Sequence, residues 1–225
     1  VTKQLAKQRY RVIITARDEE RAKHLAKKLA QEGLDIVPCA LDITDRDSIK
    51  SCVAFVNHEF GALDVLVNNA AGGFDIEQSV LGADLDAVEQ AFQVNLFGAW
   101  RLCDAFMPLL KKSNHGRIVN VSSEAASFGS PDGLRNPFIQ GMLPAYSLSK
   151  NALNAYTVKL AQALRDTFIL VNAVCPGHTA THPETDDEDG ARAPEESARG
   201  VVWAATLPDN GPTGQFFRDG KPLVF

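Results

Sequence analysis

Two short runs constrain this chain most: residues 63–67 (Leu-Asp-Val-Leu-Val) and residues 169–174 (Ile-Leu-Val-Asn-Ala-Val). Neither alternates apolar with polar residues, as a strand with one wet face would. Nearly continuous apolar runs of this length suit strands of a parallel sheet that is covered on both faces. Parallel neighbours cannot be joined by a tight turn; each pair needs a crossover, usually a helix. The rest of the chain supplies such crossovers, which makes the fold class α/β, a doubly wound parallel sheet with helices on both faces.

In order, residues 1–8 read as a short helix with Val1 and Leu5 inward, and residues 10–15 as a β-branched strand. Asp18 is placed to cap a helix whose Ala22, Leu25, Ala26 and Leu29 form an i, i+3, i+4, i+7 stripe, closed by Gly33. Residues 35–41 form a strand that Pro38 confines to a sheet edge. A helix over 45–60 places Ile49, Cys52, Val53 and Val56 on one face and stops at Gly61. A long helix is expected over 85–111, then a strand over 117–121 ending in Ser122-Ser123. A Gly- and Pro-rich loop (128–144) leads into an Ala-rich helix, and a last helix opens on Pro194 with Glu195 and Glu196 in its first turn. Residues 214–217 close the chain as a short strand.

The bulk numbers exclude several classes. Lys plus Arg is 23 against 28 for Asp plus Glu, a formal charge of −5, with no basic run, which argues against a nucleic-acid surface. No apolar segment approaches the length of a membrane span. Cys39, Cys52, Cys103 and Cys175 are widely spaced among apolar residues and do not cluster with histidines. They read as reduced core residues, with no metal site and a cytoplasmic location. The acids Asp186-Asp187-Glu188-Asp189 within the polar stretch 179–193 read as a solvated loop.

The helix that starts near Ala145 carries Tyr146 and Lys150, four residues apart and so on one face. A phenol titrates near ~10, and an ammonium beside it favours the phenolate. At ~4 Å and an effective dielectric of ~20 one unit charge supplies ~4 kcal/mol, enough at ~1.4 kcal/mol per pKa unit to bring a tyrosine to neutrality. The competing reading is a surface lysine and a half-buried tyrosine on an ordinary helix.

Asn68-Asn69-Ala70-Ala71-Gly72, Asn95, Ser123, the Tyr146–Lys150 pair and Pro176-Gly177 follow one another at strand ends and on the helices between them. In that order they resemble the short-chain dehydrogenase/reductase family over nearly the whole chain. The first motif is similar to the family's Asn-Asn-Ala-Gly with one extra alanine. The resemblance implies a Rossmann-type fold and one NADP-binding reductase domain over residues 1–225. It also implies a catalytic set of Asn95, Ser123, Tyr146 and Lys150. Tyr146 would be the general acid, Ser123 would hydrogen-bond the substrate oxygen, Lys150 would tune Tyr146 and hold the cofactor ribose, and Asn95 would hold a water linking Lys150 to solvent. Asn69, Ala70, Ala71, Gly72, Pro176, Gly177 and Thr179, with Tyr146 and Lys150, would contact the cofactor. Plainer roles stand beside two of these: a strand-end turn for Ser123 and helix-backbone satisfaction for Asn95.

Ala16 stands where relatives that prefer NAD place an acid, and Arg17 follows it, which suits the extra phosphate of NADP(H). A salt bridge from Arg17 to Asp18 or Glu20 is the alternative. Asp42 is similar to the family aspartate near the adenine, or else it caps the turn at Thr44 and Asp45. The implied activity is reduction of a small-molecule carbonyl to an alcohol. The alternatives are an NAD-dependent alcohol dehydrogenase and a non-catalytic nucleotide-binding regulator.

Three departures matter. In the family's strand order, 3-2-1-4-5-6-7, the strand and Gly-rich turn that would precede Val1 lie at the sheet centre. Without them two apolar edges stand unpaired. The sequence is therefore expected to be an incomplete record of a longer chain. A polypeptide that did begin at Val1 is expected to fold and to bind NADPH poorly. The stretch between Ser123 and Tyr146 is longer than usual, which resembles the carbonyl reductase subgroup, as do Thr15-Ala16-Arg17 and the ending 213–222; this implies a monomer or weak homodimer. The short segment after Gly177 implies an open carbonyl pocket.

Overall fold

The computed structural model describes residues 1–75, 78–136, 142–180 and 190–225. Its first unit is β1 (Val12–Ala16), α2 (Glu19–Ala30) and β2 (Ile36–Ala40), preceded by α1 (Thr2–Lys7). β1 and β2 pair in parallel, from Val12 opposite Ile36 to Ala16 opposite Ala40. Asp18 caps α2 by accepting from the Arg21 N–H at 2.7 Å. Pro38 is tolerated because β2 has no second neighbour among the described residues. α3 (Arg46–Phe60) follows, capped by Asp45 and stopped by Gly61 at φ +74°.

The second unit is a five-stranded sheet in the order β3 (Val65–Asn68), β4 (Arg117–Val121), β5 (Leu170–Val174), β6 (Phe216–Arg218) and β7 (Lys221–Leu223). The first four strands run parallel and β7 returns antiparallel. Every residue of β4 and β5 is buried, as their apolar character requires. Side chains on a strand alternate between faces, so Ile118 joins the core under α3, α5 (Ala99–Leu110) and α6 (Pro144–Ala163), while Val119 joins the core with α1 and α7 (Pro194–Ala205).

The structure departs from the sequence reading in two places. The expected helix over 85–111 is α4 (Leu85–Phe92), a π-helical turn (Gln93–Gly98) and α5. β7 was not expected, although Asp219-Gly220 marks its hairpin, both residues having positive φ. The described residues form two sheets, split where the sequence analysis leaves two edges unpaired. β1 and β3 do not pair; their facing edges line one cavity of about 2170 Å³, walled above by Leu102 and Phe106 and below by Leu5 and Val201. These are the two edges that the family strand order leaves open.

Candidate active site

The carboxyl ends of β3, β4 and β5 open into that cavity, the position at which open α/β sheets bind ligands. Asn69, Ala70, Ala71, Asn95, Ser123, Tyr146, Lys150, Pro176, Gly177 and Thr179 line it. Ligand pockets usually enclose ~300–1,000 Å³; the excess here is the channel between β1 and β3. Arg17, Asp42 and Gly72 do not line it.

Ser123 follows β4 and caps a 3₁₀ turn (Glu124–Ala126), its Oγ accepting from the Ala125 N–H at 3.3 Å. That leaves the hydroxyl hydrogen free to donate, and Ser123 lies against the Tyr146 phenol. Tyr146 is on the first turn of α6, and Lys150 is one turn further along the same face. Burial raises the Tyr146 pKa above its ordinary value; the Ser123 hydroxyl opposes this, and the nearby Cys175 adds to it.

Lys150 is not among the groups that shift Tyr146 in this arrangement. The Lys150 ammonium lies over the phenol ring, 5.9 Å from its centre, and donates to the Val121 carbonyl at 2.7 Å. It is itself 1% exposed, and burial pushes its pKa down to about 8. Burial is the largest influence on each group, raising Tyr146 and lowering Lys150.

Asn95 sits in the π-helical turn, a feature often found at functional sites. Its amide makes a reciprocal pair with Gly72, accepting from the N–H at 3.0 Å and donating to the carbonyl at 2.8 Å, and donates to Ser149 Oγ at 2.8 Å. Both N–H donors are spent, so what the structure shows for Asn95 is a tie between the strand end after β3 and α6. Gly73, next in that strand end, has φ +77°, and a Cβ there would meet Ala91 at 2.4 Å.

On the β1–β2 side, Arg17 is exposed and, among the described residues, makes no ion pair with Asp18 or Glu20. Its charge reaches Asp42. The Asp42 carboxylate accepts from Thr44 N–H at 2.8 Å and Thr44 Oγ at 2.7 Å, contacts that hold its pKa below the usual range. The geometry at Asp42 is that of the turn-capping alternative. Thr179 Oγ donates to the Gly177 carbonyl at 3.0 Å and contacts Ser197 Oγ at 2.8 Å. The acidic run 186–189 lies outside the described residues.

A model of the family described as short chain dehydrogenase matches residues 1–191. The chain belongs to the short chain dehydrogenase family. It is 32% identical to a (+)-neomenthol dehydrogenase of Arabidopsis thaliana, over 96% of this chain and 90% of that protein. It is 33% identical to carbonyl reductase [NADPH] 1 of Rattus norvegicus, over 93% of this chain and 87% of that protein. Among solved structures, an NADPH-bound carbonyl reductase from chicken fatty liver superposes with a TM-score of 0.81 at 26% identity, covering 95% of this chain and 87% of that one. Salutaridine reductase from Papaver somniferum gives 0.80 at 27% identity, covering 97% and 94%. Carbonyl reductase-like membership and a Rossmann-type α/β fold follow, and with them an oxidoreductase activity. No helix among the described residues is long and apolar enough to cross a membrane.

This short chain dehydrogenase also places residues at the site that the motifs do not name. Phe74 stacks on Tyr146 with ring centres 4.7 Å apart. The Asp75 carboxylate accepts from the Ala145 and Tyr146 N–H groups at 2.8 and 3.2 Å, capping the first turn of α6. The sequence held half of that signal: α6 begins Leu143-Pro144, with no Ser, Thr, Asp or Asn to cap it. Arg192 donates to the Pro176 carbonyl at 3.2 Å and pairs with Asp219 and Glu196, fixing Pro176-Gly177. Gly177 adopts φ +79°, a backbone conformation that favours glycine, and a Cβ there would press on the Arg192 side chain at 3.0 Å.

Proposed function

We propose that this enzyme reduces a small-molecule carbonyl to an alcohol with NADPH, Tyr146 giving the proton. The observation that carries the reading is a half-buried phenol, its pKa raised by desolvation, hydrogen-bonded to the Ser123 hydroxyl at the carboxyl ends of parallel strands. NADPH, when bound, supplies the hydride. The chain's part is to meet the charge that develops on the carbonyl oxygen. Ser123 donates a hydrogen bond to that oxygen, and the Tyr146 hydroxyl transfers its proton to it. With its pKa raised by burial, the Tyr146 phenol keeps its proton at neutral pH and enters as the acid.

The residues present fit the cofactor. Asn68, which lines the cavity, keeps its Oδ1 buried without a hydrogen-bond partner. Arg17 offers an exposed guanidinium, without an ion pair among the described residues, at the end of β1, where a ribose phosphate would suit it. Asn69 to Ala71, Lys150, Pro176, Gly177 and Thr179, which line the cavity, would hold the remainder. The carbonyl reductases among the relatives, named for NADPH, support this choice.

The test is NADPH consumption against a panel of ketones, aldehydes and quinones, with NADH run in parallel. Wild-type turnover that disappears in Tyr146→Phe, with NADPH binding retained, is expected. A variant that turns over as fast as wild type would remove Tyr146 from the reaction.

A further inference from the structure

The two cysteines nearest in sequence meet in space. Cys39 lies on β2 and Cys52 on α3, thirteen residues apart, and their Sγ atoms are 3.1 Å from each other. Both are free thiols. Cys39 is partly exposed, whereas Cys52 is 2% exposed and belongs to the main core. A disulfide needs the sulfurs at about 2.0 Å, so a shift of about an ångström separates contact from bond. The other two cysteines have no such neighbour: Cys103 contacts the Asn68 amide, and Cys175 accepts from the Glu124 and Gly177 N–H groups and from Arg218.

We infer that Cys39 and Cys52 form a peroxide-responsive dithiol site that closes reversibly to a disulfide. Cys39 is the attacking thiol, because it is the more exposed and because the Cys52 thiol beside it holds its pKa below the ordinary value. The same contact, with burial, pushes Cys52 up. In the first step the Cys39 thiolate attacks one peroxide oxygen. The O–O bond breaks, a sulfenic acid forms on Cys39, and the leaving hydroxide takes up the thiol proton as water. In the second step Cys52 sulfur attacks the Cys39 sulfur, the S–S bond forms, and the sulfenic oxygen leaves with the Cys52 proton as a second water. Two thiols are oxidised and one peroxide is reduced to two waters.

The bond would join the outer strand of the two-stranded sheet to a helix of the main core, across the connection that carries Asp42. A thiol or dithiol reductant reopens it by exchange.

Hydrogen peroxide is the probe, with the full chain under native conditions. Peptide mapping should show one cross-link, between the peptides holding Cys39 and Cys52, the loss of two titratable thiols, and full return with dithiothreitol. Cys39→Ser and Cys52→Ala should each abolish the cross-link, while Cys103→Ala should leave it intact. Wild-type mapping decides the matter even where a variant folds poorly. Four thiols surviving peroxide, a link between other cysteines, or sulfinic acid on Cys39 without a link would each overturn the inference. None of these readouts depends on carbonyl reduction, so this inference and the proposed function fail separately.

Discussion

The two sheets are built to different standards. In the five-stranded sheet, β4 and β5 are buried at every position and paired on both edges. They carry or flank Ser123, Lys150's carbonyl partner Val121, and Pro176-Gly177. In the two-stranded sheet no residue is fully buried, and each strand has one partner. That unit carries Arg17 and leads into Asp42, neither of which lines the cavity that holds Ser123 and Tyr146. Under the proposed function the chemistry therefore rests on the more deeply buried sheet and cofactor choice on the lighter one. Substitutions in the first should move rate or stability; those in the second should move cofactor preference and little else.

The largest effect expected is on rate. Positioned acid catalysis contributes about 10²–10⁴-fold, so Tyr146→Phe should lower kcat by that factor while leaving the thermal midpoint near wild type. Steady-state kinetics beside a melting curve checks both. A large fall in midpoint would mean that the phenol also holds α6 in place, and the division between the sheets would blur.

Next comes Lys150, where function and stability oppose one another. Its ammonium is pushed down to about 8 by burial, whereas in the unfolded chain it titrates near ~10.4. Between those values the unfolded state binds more protons, so stability rises with pH across that window. Below it the buried charge costs on the order of 3 kcal/mol. Lys150→Met should therefore raise the urea midpoint at pH 7, by an amount that shrinks as the pH climbs through the window, while abolishing turnover. If the Met variant is the less stable protein at pH 7, the bond to Val121 outweighs desolvation.

A third substitution tests the polar wiring under the site. Asn68 donates to Asn120 at 2.8 Å, and Asn120 donates to Thr157 Oγ at 2.8 Å, all three residues being buried. Asn120→Ala strands partners on β3 and α6 at once, and an orphaned buried group costs about 1–3 kcal/mol. Chemical denaturation should show a loss in that range with the slope unchanged. A neutral result would show that water replaces the amide.

What the sequence could and could not disclose follows the same division. Strands β4 and β5 were legible because burial on both faces writes itself as an apolar run, and Ser123, Tyr146, Lys150 and Pro176-Gly177 because their order and spacing are local facts. The Asp75 cap on α6 was not, since its partner lies 70 residues away and only folding selects it. The π-helical turn was hidden because Val94 to Gly98 is ordinary helical sequence whose register is set by the tie from Asn95 to Gly72. Spacing puts Lys150 near the phenol, but only packing shows how deeply the Lys150 ammonium is buried and that burial leads the shift of each group.

Arg17 tests the lighter half, and the smallest effect is expected there. Its guanidinium is exposed and takes no ion pair among the described residues, so replacing it disturbs no internal contact, and surface changes of this kind stay within about 0.5 kcal/mol of stability. What it would lose is a charge-assisted contact to the ribose phosphate that distinguishes NADPH from NADH. Arg17→Asp should raise the KM for NADPH about tenfold, equivalent to ~1.4 kcal/mol, with kcat held and the KM for NADH unchanged or lower. The negative charge of the aspartate would repel the phosphate and suit a free ribose hydroxyl, so the two cofactors should move in opposite directions. If both KM values rise together, Arg17 supports the fold of the β1–β2 unit and not the choice of cofactor. If neither moves, the phosphate is read elsewhere, and the two-stranded sheet loses the role that the comparison gives it.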